Sequence, residues 1–276
     1  MRNTISVKNV SISYVEQNPS AGQTLFFIHG NSGSSAAWSK QFSDPLLAGY
    51  RLVAFDLPGH GETGPLPNAH DYNLPFIAEV MVAAVSACLT NEEYILVGFS
   101  LGTNIVAEML EHNIYPKGII LIGACIVGKE YPMDAIGKEG FDTTVLFTDD
   151  CTDERLENFL GAAFLSNDRE DHERFVNDYR KVKPPFRSML LKTLLDGKVN
   201  DEIQLINRNA GVPILMIYGR DEKIVNPYYL GNASLTTWNN TIYKIAGASH
   251  FVHTDQAEAT NRLIIDYCRD YFTTLL

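Results

Sequence analysis

Ser100 stands in Gly98-Phe99-Ser100-Leu101-Gly102, a G-x-S-x-G sequence. The apolar run Tyr94-Ile95-Leu96-Val97 precedes it and reads as a buried strand. The segment Thr103 to Leu110 follows and reads as a helix. A serine on such a strand-to-helix turn is held in strained backbone, with its hydroxyl exposed at the end of a sheet. Glycines flank it because larger side chains would collide across the sharp turn. The Leu101 amide then points at the serine oxygen from a helix N-terminus, where negative charge is favoured. An isolated G-x-S-x-G is also compatible with a glycine-rich turn and an incidental serine, so partners must be sought elsewhere in the chain.

A serine hydroxyl attacks only when a base takes its proton, and the base in turn needs a carboxylate to fix its tautomer. His250 follows a short strand-like run, Thr241 to Ile245, through the turn Gly247-Ala248-Ser249, and is the expected base. His253 is its rival. Asp221 and Glu222 follow the apolar run Pro213 to Tyr218, and either can supply the acid. His29 and His60 lie in loops beside these segments and are expected to hold loop backbone. Two amides are also needed where negative charge develops on a substrate oxygen. Leu101 offers one, and Asn31, in the loop after the run Thr24 to Ile28, offers the other.

The elements that must position these groups can be read in chain order. Residues 4–16 alternate apolar and polar, with Lys8-Asn9 as the turn of an antiparallel hairpin. The runs Thr24–Ile28, Arg51–Phe55, Tyr94–Val97, Lys117–Ile122 and Pro213–Tyr218 lack that alternation, as strands covered on both faces do. A helical stretch carrying Trp38 and Phe42 follows the first of these. Residues 75–89 place Ile77, Val80, Met81, Ala84, Val85 and Cys88 at helical spacing. From about Val127 to Ile206 the strand rhythm stops, and helices are expected over 152–164, 169–181 and 186–195. A final helix runs from about Asp255, with Leu263, Ile264, Tyr267, Tyr271 and Phe272 on one face. This pattern predicts a mostly parallel sheet flanked by helices, with residues 1–126 and 207–276 forming its core and 127–206 a helical insertion. Ligands on such sheets bind beyond the carboxyl ends of the strands, where Ser100, Asp221/Glu222 and His250 all fall.

The chain has 276 residues, 45% of them hydrophobic, and a formal net charge of −11. That charge makes nucleic acid and anionic membrane poor partners. No apolar run reaches membrane-spanning length, and the first residues lack the apolar core of a signal peptide. Cys88, Cys125, Cys151 and Cys268 are scattered and make no C-x-x-C pair, as reduced thiols of a cytoplasmic protein would be. Histidines, cysteines and carboxylates show no clustered ligand spacing, so no metal or other cofactor is expected. The sequence carries no sign of oligomeric state.

With these segments in hand, the chain resembles the α/β-hydrolase fold superfamily. The resemblance rests on His29-Gly30-Asn31, Asp56-Leu57-Pro58-Gly59-His60-Gly61, Gly98-Phe99-Ser100-Leu101-Gly102, Gly219-Arg220-Asp221-Glu222 and the turn ending at His250. It implies the nucleophile–acid–histidine chain order. It also favours Glu222, the fourth residue of the turn that begins at Gly219, over Asp221. Relatives that attack haloalkanes or epoxides carry aspartate where this chain has Ser100, which leaves acyl transfer to water. Among such enzymes the motifs and the size of the insertion resemble metal-free N-acyl homoserine lactonases. The resemblance thus implies hydrolysis of an acyl ester or lactone, with a general carboxylesterase as the alternative. A non-catalytic small-molecule receptor on the same fold stays open, since fold does not fix function. Phe99, Phe159, Phe164 and Phe251 are candidates for the substrate pocket, and Phe159, Phe164 and Phe186 of the insertion for an acyl tunnel. Each of them can equally pack the insertion onto the sheet.

Overall fold

The computed structural model describes residues 1–89, 93–211 and 213–272. Strands β1 (Arg2–Val7) and β2 (Val10–Gln17) form the expected hairpin. Its turn residues, Lys8 and Asn9, both have positive φ, 50° and 62°, the geometry that matches strand twist in a two-residue turn. The remaining strands are β3 (Gln23–Ile28), β4 (Arg51–Phe55), β5 (Glu93–Phe99), β6 (Gly118–Ile122), β7 (Ile214–Gly219) and β8 (Thr237–Ile245). The eight form one sheet in the order β1-β2-β4-β3-β5-β6-β7-β8. β2 joins β4 antiparallel, and every pair from β4 to β8 is parallel. The unbroken apolar runs are explained by this placement: every residue of β4, β6 and β7 is buried.

Helices cover both faces. They are α1 (Ser39–Phe42), α2 (Leu74–Cys88), α3 (Leu101–Met109), α4 (Asp153–Ala163), α5 (Arg169–Lys181), α6 (Phe186–Leu195), α7 (Glu202–Asn209), α8 (Val252–Asp255) and α9 (Ala257–Tyr271). The Asn73 side chain caps α2 through the Phe76 amide, 3.0 Å, and Pro75 sits in the first turn where no amide is needed. On α9, Tyr267 is buried, accepts from the Ile119 amide at 3.0 Å and donates to the Pro213 carbonyl at 2.9 Å, tying that helix to β6 and to the segment entering β7.

Between β6 and β7 the chain carries two short 3₁₀ turns and then α4 to α7. Thr152 and Asp168 cap α4 and α5 with their side chains, and Pro184-Pro185 separates α5 from α6, so those helix ends were readable from residue type. The expected boundary at 206 falls inside α7. That helix packs on α3 through the buried Glu202, so its first turn serves the sheet core. The insertion lies over the loops that leave the strand ends. Asn31 Nδ2 donates to the Leu146 carbonyl at 2.8 Å, Ser34 Oγ to Asp178 at 2.7 Å, and the Phe251 amide to the Ala163 carbonyl at 3.1 Å. One strand differs from expectation. β8 begins at Thr237, four residues before the expected run at Thr241. Asn239 and Asn240 adopt positive φ within the strand, where its register against β7 shifts.

Candidate active site

Ser100 is the residue between β5 and α3, with φ 51° and ψ −121°. A non-glycine residue held there costs on the order of 1–3 kcal/mol and persists only when its surroundings fix it. They do so tightly. A Cβ on Gly98 would lie 2.5 Å from the Gly102 carbonyl oxygen, and one on Gly102 would lie 2.2 Å from that of Ile28. The Ser100 amide donates to the Ile122 carbonyl at 2.9 Å, and Thr103 Oγ1 donates to the Ser100 carbonyl at 2.6 Å.

The β8–α8 turn brings His250 to this hydroxyl. Its Nε2 lies 2.9 Å from Ser100 Oγ and its Nδ1 lies 2.9 Å from Glu222 Oε2. All three residues are at most 8% exposed. Glu222 Oε1 accepts the amides of Ile224, 2.8 Å, and Val225, 3.2 Å. Burial alone would push this carboxyl up. The His250 charge and hydrogen bond, with those two amides, outweigh burial, so its pKa lies below the usual carboxylate value. A carboxylate only accepts, so Nδ1 carries the proton and the Nε2 lone pair faces the serine hydroxyl. The arrangement can therefore take a proton from Ser100 and hold the resulting imidazolium.

Asp221 takes another place. It is exposed, accepts the Gly247 amide at 3.1 Å and gives its own amide to the Ala248 carbonyl at 3.0 Å, tying the loop after β7 to the turn after β8. His253 is fully buried among the rings of Trp38, Phe99 and Phe251, and burial drives its pKa down to about 3. It is a neutral ring of the core. His29 and His60 hold loop backbone, as expected. Their Nε2 atoms accept the amides of Leu57, 3.0 Å, and Ser32, 3.3 Å, while their Nδ1 atoms donate to the carbonyls of Gly30 and Pro58. Burial lowers both pKa values, so the rings stay neutral in these roles. Asn31 and Leu101 both line the cavity at Ser100. Leu101 is the first residue of α3, so its amide has no partner within the helix.

That cavity has a volume of about 280 Å³, and Ser100 and His250 line it. None of Phe99, Phe159, Phe164 and Phe251 lines it, contrary to expectation. Phe251 stacks on Phe164 with centroids 4.0 Å apart, Phe175 meets Phe251 edge-on, and Phe159 stacks on Phe175. Phe99 packs against Phe251 and His253. Phe186 is likewise sealed, against His60 and Tyr72. Clustered rings gain buried area and favourable ring geometry together, so they fasten the insertion to the His250 loop. The apolar wall comes instead from Met133, Ile136, Leu146, Phe147, Leu191 and Leu194. The first four lie in a stretch of short 3₁₀ turns that carries no periodic signal. Asn104 and Cys125 also line the cavity and were not foreseen. Asn104 had a readable sign, since it lies four residues after Ser100 on a helix and so on the same face.

Among the described residues no cluster of His, Cys, Asp and Glu is arranged to hold a metal ion, and no helix is long and apolar enough to cross a membrane. Relatives give the site a context. The bifunctional esterase/perhydrolase DCH of Acinetobacter calcoaceticus is 27% identical over 94% of this chain and 96% of its own. Protein ABHD8 of Mus musculus is 29% identical over 74% of this chain, which spans about half, 46%, of that longer protein. A solved structure of the N-acyl homoserine lactonase AidH complexed with N-butanoyl homoserine superposes with a TM-score of 0.88 at 20% identity, covering 100% of this chain and 98% of the other. At that identity the likeness speaks for the fold alone. The family profile described as alpha/beta hydrolase fold matches residues 23–257. That span runs from β3 through the Ser100 turn and Glu222 to the start of α9, and this chain belongs to the α/β-hydrolase fold family.

Proposed function

We propose that this protein is a serine hydrolase that cleaves an uncharged acyl ester or lactone through an acyl-enzyme, with N-acyl homoserine lactones as the specific candidates. One observation carries the reading: the hydrogen-bonded chain Ser100–His250–Glu222, 2.9 Å at each link, with Ser100 and His250 lining a largely apolar cavity. In this reading Ser100 Oγ attacks the carbonyl carbon while His250 Nε2 takes its proton. Glu222 stabilises the imidazolium. The amides of Leu101 and Asn31 take the negative charge on the carbonyl oxygen. His250 then returns the proton to the leaving oxygen as the carbon–oxygen bond breaks. In a lactone that oxygen stays tethered to the acyl group. Water, deprotonated by His250, hydrolyses the acyl-enzyme, releases the carboxylic acid and regenerates Ser100. The helical insertion between β6 and α7 acts as a cap that closes on the acyl chain and excludes water, which strengthens the oxyanion hydrogen bonds. The DCH relative, an esterase/perhydrolase by name, supports an ester substrate.

The test is kcat/KM for homoserine lactones of several chain lengths beside matched open-chain esters. Turnover of the lactones is expected. Inert lactones beside active esters would leave a general carboxylesterase. Tight binding of a small molecule with no turnover of either class would make the protein a receptor.

A further inference from the structure

Asn104 stands one helical turn after Ser100 on α3, is 6% exposed and lines the cavity. Its Nδ2 donates to the Cys125 carbonyl at 2.7 Å and to Glu202 Oε2 at 2.8 Å. The Cys125 carbonyl can only accept, so the atom facing it is the amide nitrogen and the side chain cannot be flipped. Both N–H groups are then used. Glu202 Oε2 also takes the Val127 amide at 2.7 Å, which anchors it. Burial raises the Glu202 carboxyl well above its usual value. What remains of the amide is Oδ1, which accepts from no described residue. The cavity wall therefore carries a fixed acceptor, about one helical turn of 5.4 Å along α3 from the nucleophile.

We propose that Asn104 Oδ1 accepts an N–H that the substrate carries on the carbon next to its reacting carbonyl, so the site selects α-acylamido esters and lactones over their plain acyl counterparts. This deepens the reading of the site as a hydrolase and rests on it. The spacing suits it. A carbonyl carbon in reach of Ser100 Oγ places the α-nitrogen two bonds away, between the serine and the next turn of α3. Every polar hydrogen in the locked Asn104 amide is spent on protein, so Asn104 itself can only accept. It rewards a substrate donor and offers nothing to a substrate carbonyl. A neighbouring aliphatic carbon would leave Oδ1 without a partner, which is the situation that lets a polar site reject an analogue lacking a hydrogen-bond donor.

The experiment uses N-hexanoyl homoserine lactone, its N-methyl derivative and the lactone with methylene in place of N–H. Equilibrium binding of each is measured on the Ser100→Ala protein, and kcat/KM on the wild type. The N–H lactone is expected to bind roughly ten- to a hundredfold more tightly than either analogue, and kcat/KM should follow. Asn104→Leu should bring the three within about threefold of one another. Because the analogues probe the unmodified Asn104, the result does not depend on that variant folding. Equal affinities for the three lactones, or no binding by any, overturn the assignment. Equal kcat/KM values overturn it while leaving the hydrolase in place. Selective binding of the N–H lactone with no turnover supports the acceptor and removes the hydrolase reading.

Discussion

Replacing Glu222 by Gln exchanges one oxygen for an amide nitrogen at constant shape, and the hydrogen bonds around it set the consequence. Glu222 presents two acceptors: Oε2 to His250 Nδ1 and Oε1 to the amides of Ile224 and Val225. A glutamine has only one. If its oxygen faces His250, its NH₂ confronts two backbone donors in a buried site, and each unpaired donor costs about 1–3 kcal/mol. If its oxygen faces the two amides, the NH₂ faces His250 Nδ1, which must then accept. The second arrangement leaves fewer donors unpaired and prevails. It moves the imidazole proton to Nε2, which now donates to Ser100 Oγ instead of taking its proton. A wrong tautomer of this kind lowers kcat by roughly ten-thousandfold. Asp221→Asn keeps an oxygen for the Gly247 amide at an exposed turn and should stay within about threefold of wild type, as surface changes of this kind usually shift energies by under ~0.5 kcal/mol. Steady-state kinetics on a nitrophenyl ester, with circular dichroism to confirm folding, separates the two. Equal losses, or a larger loss for Asp221→Asn, would refute the reasoning.

Two further expectations concern stability. Phe164→Ala should destabilise by about 3–5 kcal/mol because it removes a buried ring stacked on Phe251, while kcat at low temperature stays within severalfold of wild type. Calorimetry and kinetics together check this, and a large kcat loss without destabilisation would return Phe164 to the substrate path. Glu202→Gln should gain on wild type as pH rises. The folded-state pKa is raised, so the stability Glu202 contributes is whole below the unfolded value of about 4.3 and is lost as pH climbs toward the folded value. Denaturant midpoints at pH 4 and pH 8 read the gap, and a gap that shrinks over that interval would mean Glu202 is ionised in the fold.

Much of this site was legible because its chemistry is local. Ser100 lies between two glycines whose Cβ positions are occupied by backbone, and no other residue fits there. The family resemblance favoured Glu222 over Asp221, and the hydrogen bonds put Glu222 on His250 and Asp221 on Gly247. The cavity wall was not legible. Met133, Ile136 and Leu146 sit in or beside short turns without a repeat, so no spacing in the sequence marks them as one wall. The phenylalanines misled for a related reason: a large apolar side chain in the insertion satisfies packing and pocket lining equally well on paper, and only their stacking on Phe251 decides it. Asn104 needed its partners. Its free oxygen becomes visible only when Cys125 and Glu202, 21 and 98 residues away, are seen to take both of its hydrogens.

The most direct test of the Ser100 acyl-enzyme is the mass of the protein caught during turnover of a slow acyl ester. The expected result is an adduct equal to the acyl group, located by peptide mapping at Ser100, absent from Ser100→Ala and accumulating when His250→Ala is supplied with an activated ester. An adduct on another residue, or full turnover by Ser100→Ala with no adduct at all, would contradict it.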